Sequence, residues 1–256
     1  MSRFATAERV SRELSDNFVF QRSLLAYHAA AGRIGGEVLE IGTGSGYGIE
    51  VVAPHAARFV TVDKHAPAPE LLRQPRVSFL QATVPPLPFD GASFDAAISF
   101  QVIEHIPDDA AFVREIARVL RPGGRFVVTT PNAPMSLTRN PWHVREYRAD
   151  ELRDLLLGNG FASVERLGVF GDERVAAYYE ENRRSVARIA RFDVFDLQHR
   201  LPRRLLQIPY DLLNRINRRR LLRANTELTA SIRMENYRLG PVADDCFDLF
   251  YIAEKK

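Results

Sequence analysis

Residues 37–48, Glu-Val-Leu-Glu-Ile-Gly-Thr-Gly-Ser-Gly-Tyr-Gly, join a short apolar run to a turn rich in glycine. Val38, Leu39 and Ile41 suit a strand covered on both faces. Gly42, Gly44 and Gly46 then allow left-handed backbone angles and let a ligand approach bare main chain. Asp63 closes a second apolar run, Val60-Thr-Val62. It lies about twenty residues past the first glycine, where an acid can accept both hydroxyls of a ribose. Further on, Glu104 and His105 adjoin, and His143 opens His-Val-Arg-Glu-Tyr147. A carboxylate with imidazoles can position a substrate hydroxyl, take its proton, or ligate a divalent ion.

The glycine spacing is G-x-G-x-G with Glu40 two residues ahead, whereas the dinucleotide fingerprint G-x-G-x-x-G would need glycine where Tyr47 stands. Here the chain resembles the class I S-adenosylmethionine-dependent methyltransferases, whose first motif is an acid followed by G-x-G-x-G. Three more blocks carry the resemblance in order. Residues 81–95 contain Leu87-Pro88-Phe89 and Ser93-Phe94-Asp95; residues 94–106 form a strand followed by an apolar-Glu-His turn; residues 120–132 contain Leu-Arg-Pro-Gly-Gly and end in Thr-Thr-Pro-Asn. The second of these is similar to the ubiquinone and menaquinone methyltransferase branch. The resemblance implies S-adenosyl-L-methionine as cofactor, held by Glu40, Gly42, Thr43, Gly44, Gly46 and Tyr47, with Asp63 on its ribose. It also implies Phe100 and Gln101 beside the methionine part. The acid that usually meets the adenine amino group falls on Thr83, which leaves a hydroxyl and the Val84 backbone for that contact. A nicotinamide oxidoreductase remains the alternative for the glycine turn and Asp63 taken alone, since an acid at that place serves either ligand.

Glu104, His105 and His143 are the candidate catalytic residues, for positioning or deprotonating a substrate oxygen. Two other readings stand beside this one. A histidine bonded to a nearby carbonyl can be purely structural. Some relatives, including RNA-terminal 2′-O-methyltransferases, hold a divalent ion with a Glu-x-x-Glu-His cluster and a later histidine. In this chain the first acid of that cluster is Gln101, and an amide binds hard cations more weakly. No metal is expected.

These residues need a doubly wound, seven-stranded Rossmann-like α/β sheet to position them. Strands are expected at Val38–Ile41, Phe59–Val62, Val77–Gln81, Phe94–Phe100, Arg125–Thr130 and Ser163–Val169, with an antiparallel last strand at Phe247–Ala253. Asp108 and Asp109 cap a helix carrying Phe112, Ile116 and Leu120, stopped by Pro122-Gly123-Gly124. A second helix, about Asp150–Leu157, buries Leu152, Leu155 and Leu156. The expected organisation is an N-terminal helical cap at 1–34 anchored by Leu14, Phe18, Leu24 and Leu25, a cofactor-binding core at 35–171, an arginine-rich helical insertion at 172–240, and the final strand of the core at 241–256.

With 46% hydrophobic residues in 256, a sizeable core is available. A single cysteine, Cys246, and the lack of an apolar leader or a membrane-length apolar run point to the cytoplasm. The net charge of +3 is small, but its distribution is uneven. The insertion carries Arg183, Arg184, Arg188, Arg191, Arg200, Arg203, Arg204, Arg215, Arg218, Arg219, Arg220 and Arg223. Val186, Ile189, Leu205, Ile208, Leu212, Leu213 and Ile216 recur among them at helical spacing, so amphipathic helices with basic faces are expected. Such helices suit a solvated lid, an anionic membrane surface or lipid-linked substrate, or RNA; few aromatics interleave for base stacking, which weakens the last. The loop 138–148 adds Arg139, Trp142, Arg145 and Arg148 at the ligand side of the sheet. The resulting expectation is methyl transfer to a small-molecule or lipid-linked acceptor at oxygen or carbon, with peripheral membrane contact possible. The alternatives are a metal-assisted RNA 2′-O-methyltransferase, and a non-catalytic cofactor-binding module that binds RNA or membrane.

Overall fold

The computed structural model describes residues 10–191 and 197–256. Five strands run parallel: β1 Glu37–Ile41, β2 Arg58–Asp63, β3 Val77–Gln81, β4 Phe94–Phe100 and β5 Leu120–Pro131. They are joined by β6 Phe161–Gly171, β7 Tyr237–Pro241 and β8 Asp248–Lys255 in the order β3-β2-β1-β4-β5-β8-β6-β7. β8 inserts between β5 and β6, antiparallel to both. The direction of winding reverses between β1 and β4, so a crevice opens beyond their carboxyl ends.

Alternate residues of the buried strands feed two separate cores, as the two-residue period of a strand requires. Leu39 and Ile41 join a core with Phe112 and Ile116 of α3 (Asp109–Val119) and Leu152 and Leu156 of α4 (Ala149–Gly158). Val38, Phe59 and Val127 join the opposite core. It holds Phe18 and Tyr27 of α1 (Asn17–Ala31) and Ile49 and Val52 of α2 (Ile49–Val52). Glu40 shares the parity of Val38 and therefore points toward α1. The side chain of Asp108 accepts from the Ala111 N–H, capping α3 as its sequence requires.

The remaining helices are α5 Glu173–Ala190, α6 Leu197–Arg200, α7 Arg203–Ala224 and α8 Thr226–Ser231. Three expectations need correction. The sheet has eight strands, not seven: β7 begins within the end of the stretch 172–240 expected to be helical and pairs with the edge of β6. Gly240 and Pro241 weaken the strand pattern, and an edge strand tolerates them. β5 begins at Leu120 and runs through the Pro-Gly-Gly segment, so the helix before it stops at Val119. Leu14, expected to anchor a cap, is 50% exposed in a single 3-10 turn ahead of α1. Residues 1–9, the start of the expected cap, lie outside the described residues.

Candidate active site

The three glycines of the turn differ in what surrounds them. All have positive φ, 94° at Gly42, 56° at Gly44 and 78° at Gly46. A Cβ on Gly42 would lie 2.3 Å from Val102, and one on Gly46 would lie 2.6 Å from Leu71; both glycines are spent on chain packing. Gly44 is different. A Cβ there would meet nothing within 4 Å, so its bare face opens on space. Asp63, at the end of β2, accepts from the Gly44 N–H at 2.9 Å through Oδ2 and from the His65 N–H at 2.8 Å through Oδ1. The carboxylate thus fixes the turn.

Beneath the turn, Glu40 is 1% exposed. Its carboxylate accepts from Tyr27 Oη at 3.0 Å and Thr61 Oγ1 at 2.6 Å, and Thr43 Oγ1 bonds Thr61 Oγ1 in turn. Burial raises the Glu40 pKa to about 7 against these two hydrogen bonds. Tyr27 also lies where a Cβ on Gly48 would be, 2.0 Å away, and stacks edge-on against Tyr47 and Phe100. Tyr47 is packed between Phe20 and Tyr27. The first helix therefore presses on the turn from behind, through Tyr27, a residue that sequence spacing did not single out.

At the end of β4, Phe100 packs between Tyr27 and Phe250. Gln101 takes φ 56°, unusual without glycine, and its N–H donates to the Thr129 carbonyl. Beside it is a pair the sequence did not reveal: Arg22 of α1 and Asp248 of β8 lie 2.9 Å apart, and Asp248 is 4% exposed. Burial pushes the Asp248 carboxyl up, opposed by the Arg22 charge and the Gln101 amide. Its Oδ1 has no hydrogen-bond partner among the described residues. Thr83 is exposed on the loop after β3, while Val84 packs against the core.

Glu104, His105 and His143 come together, each bringing a ligand-type atom within 4.8 Å of the other two. Glu104 is buried and accepts from Thr130 Oγ1. Its carbonyl accepts from the N–H groups of Val144 and Arg145, which pins the loop bearing His143. The hydrogen bonds also set the tautomers. His105 Nδ1 faces the Trp142 carbonyl at 3.0 Å, an acceptor only, so in the neutral ring the proton sits there and the lone pair on Nε2. Asn140 Oδ1 accepts from the Trp142 N–H, which turns its amide nitrogen to His143 Nε2 at 2.8 Å. His143 Nδ1 then donates to Glu146 at 2.8 Å. Both nitrogens of His143 are thus engaged. One carboxylate and two imidazoles also form a donor set for a divalent cation, though such a cation would have to displace Asn140 or Glu146 from His143.

The arginine-rich helices close over this loop. Arg203 of α7 donates to the Val144 carbonyl, Arg139 donates to the Gln198 carbonyl of α6, and Trp142 Nε1 donates to Asp211 of α7. Between loop and helices lies a cavity of about 480 Å³, whose lining includes Thr138, Arg139, His143, Arg145, Glu146 and Arg203. Arg148, the other basic residue of the loop, is exposed and caps α4.

A parallel sheet with a glycine turn after its first strand and an acid after its second defines a Rossmann-like domain of the class I methyltransferase type. Residues 39–128 match the family described as a methyltransferase domain. A protein of Mycolicibacterium smegmatis described as a probable S-adenosylmethionine-dependent methyltransferase is 35% identical over 97% of this chain and 93% of its own length. A Mycobacterium tuberculosis protein with the same description is 42% identical over 66% of this chain. That match spans 65% of the Mycobacterium tuberculosis relative's length. Among solved structures, a Thermotoga maritima protein described as an S-adenosylmethionine-dependent methyltransferase and possible histamine N-methyltransferase aligns with a TM-score of 0.59 at 16% identity. That alignment covers 97% of both chains and shows the shared fold. The chain belongs to the S-adenosylmethionine-dependent methyltransferases, and S-adenosyl-L-methionine is the family's cofactor. The open face of Gly44 and the acceptor at Asp63 fit such a group.

Proposed function

We propose that this protein transfers a methyl group from S-adenosyl-L-methionine to an oxygen, or an activated carbon, of a small-molecule or lipid-linked acceptor bearing an anionic group. The observation that carries the reading is the open face of Gly44, bordered by Asp63. When bound, the cofactor supplies an electrophilic methyl on a sulfonium. The backbone of 42–46 holds it in place, Asp63 accepts ribose hydroxyls, Thr83 and Val84 adjoin the adenine, and Phe100 and Gln101 border the methionine part. The residues then align the acceptor for in-line displacement and keep water out; no covalent nucleophile is required. His105, held through Nδ1, takes the acceptor's proton at Nε2 as the new bond forms. Glu104 and His143 hold that histidine and its loop. Arg139, Arg145 and Arg203 give the adjoining cavity a positive lining suited to a phosphate or carboxylate.

No helix among the described residues is long and apolar enough to cross a membrane. Cys246 is buried and free, which suits the reducing cytoplasm, where we place the reaction. The test is methyl transfer from labelled cofactor into cell extract fractionated into small molecules, lipid and RNA. Label in the lipid or small-molecule fraction is expected; label confined to RNA, or none, refutes the proposal. His105→Ala should lower turnover by about a hundredfold. Its affinity for adenosylhomocysteine should stay as in the parent.

A further inference from the structure

α7 is built inside out. The side it turns to the protein is largely polar, with Leu221 its one buried apolar residue. Asn217 is buried, bonding Ser185 Oγ at 2.6 Å and Asn182 Oδ1 at 2.8 Å on α5, and Arg218 pairs with Asp16 at 2.7 Å. Five of its leucines and isoleucines face outward instead. Leu205 is 63% exposed, Ile208 81%, Leu212 58%, Leu213 46% and Ile216 52%. These positions, with exposed Pro209 among them, follow the three-and-four spacing of one helical face. Continuing the same spacing, the last turns carry exposed Arg219, Arg220 and Arg223. Among the described residues, the other exposed large apolar side chains are Leu14 and, less so, Leu80. Isolated exposed leucines need no explanation, whereas a contiguous stripe marks a surface that something covers.

We propose that this face of α7 docks on an anionic lipid bilayer, with Leu205, Ile208, Leu212 and Ile216 entering the acyl boundary and the terminal arginines on the headgroups. The charge pattern selects this occupant. The helix has one acid, Asp211, which faces inward to Trp142. A second copy of the stripe would therefore bring arginines no counter-charge, while phosphodiester headgroups supply one for each. RNA would need aromatic faces for stacking, and the stripe presents none. Arg203, in the first turn of α7, lines the cavity beside His143, so docking would bring that cavity close to the membrane surface.

The inference does not depend on methyl transfer and is tested without it. The full chain is centrifuged with vesicles of phosphatidylcholine alone and with vesicles that also contain phosphatidylglycerol. Binding to the second and little to the first is expected, falling as salt rises. An Ile208→Glu/Leu212→Glu double variant should bind the anionic vesicles at least about tenfold more weakly. An unchanged thermal shift with adenosylhomocysteine will show that the variant is folded. Absence of binding by the parent chain, or equal binding by the variant, overturns the proposal. So does a dimer in sedimentation velocity that the variant abolishes while vesicles go unbound, which gives the face to a second copy. Retention of RNA through the same residues, with vesicles unbound, overturns it likewise.

Discussion

Gly44 and Gly48 stand four residues apart in one turn, and the space around them predicts opposite losses. Gly44→Ala adds a methyl where no protein atom lies within 4 Å, at a positive φ that costs about 1 kcal/mol. The fold should survive and calorimetric affinity for S-adenosylmethionine should fall by more than about tenfold, roughly 1.4 kcal/mol or more. Gly48→Ala places a methyl 2.0 Å from the Tyr27 ring and should lower the melting temperature first. Equal effects of the two substitutions on binding would remove Gly44 as the cradle. The glycines and Asp63 were legible in the sequence because turn chemistry and strand ends are local properties. Tyr27 was not, since its partners Glu40, Gly48 and Phe100 meet it only once α1 packs on the sheet. The sequence brought His105 and His143 forward as equals; only the fold shows that the first is held by the carbonyl of Trp142 and the second by the amide of Asn140.

Helix α1 is fastened to the sheet by a charge pair almost out of water. Arg22 also lies over the rings of Phe18 and Phe247, and Tyr237 Oη donates to the Phe18 carbonyl. Replacing Arg22 by Met leaves Asp248 buried without its counter-ion and should cost about 3 kcal/mol in urea unfolding. The Arg22→Met/Asp248→Leu double variant should recover most of that loss, because two apolar groups need no partner. If the double variant is as unstable as the single one, the pair is not what holds α1. At this scale the sequence was a good guide where periodicity and burial agree, as in β4 and α3. It failed where they part. β7 is an edge strand with glycine and proline, and the helical spacing of apolar residues in α7 correctly gave a helix without showing that most of its leucines face outward. Periodicity identifies a stripe; only packing determines what lies against it.

The stability of the whole protein should carry the signature of Glu40. Its folded pKa of about 7 lies above the usual 4.5, so the folded chain keeps a proton that the unfolded chain releases across that window. Stability is then greatest below about pH 4.5 from this group and declines as pH rises to about 7, by on the order of 3 kcal/mol. Chemical denaturation at several pH values, compared with Glu40→Gln, isolates it: the difference between the two proteins should change across that window and flatten above it. A difference independent of pH would mean Glu40 ionises at its ordinary value in the fold.

The placement of β8 bears on how the chain is made. Residues 125–131 pair with residues 248–254, so the two halves of the sheet are bridged by a segment that leaves the ribosome long after β5. Until it arrives, β5 is an open edge of a parallel half-sheet, a template for strands of other nascent chains. During synthesis the protein therefore passes through an interval in which a chaperone, or speed of translation, must stand in for its own missing strand.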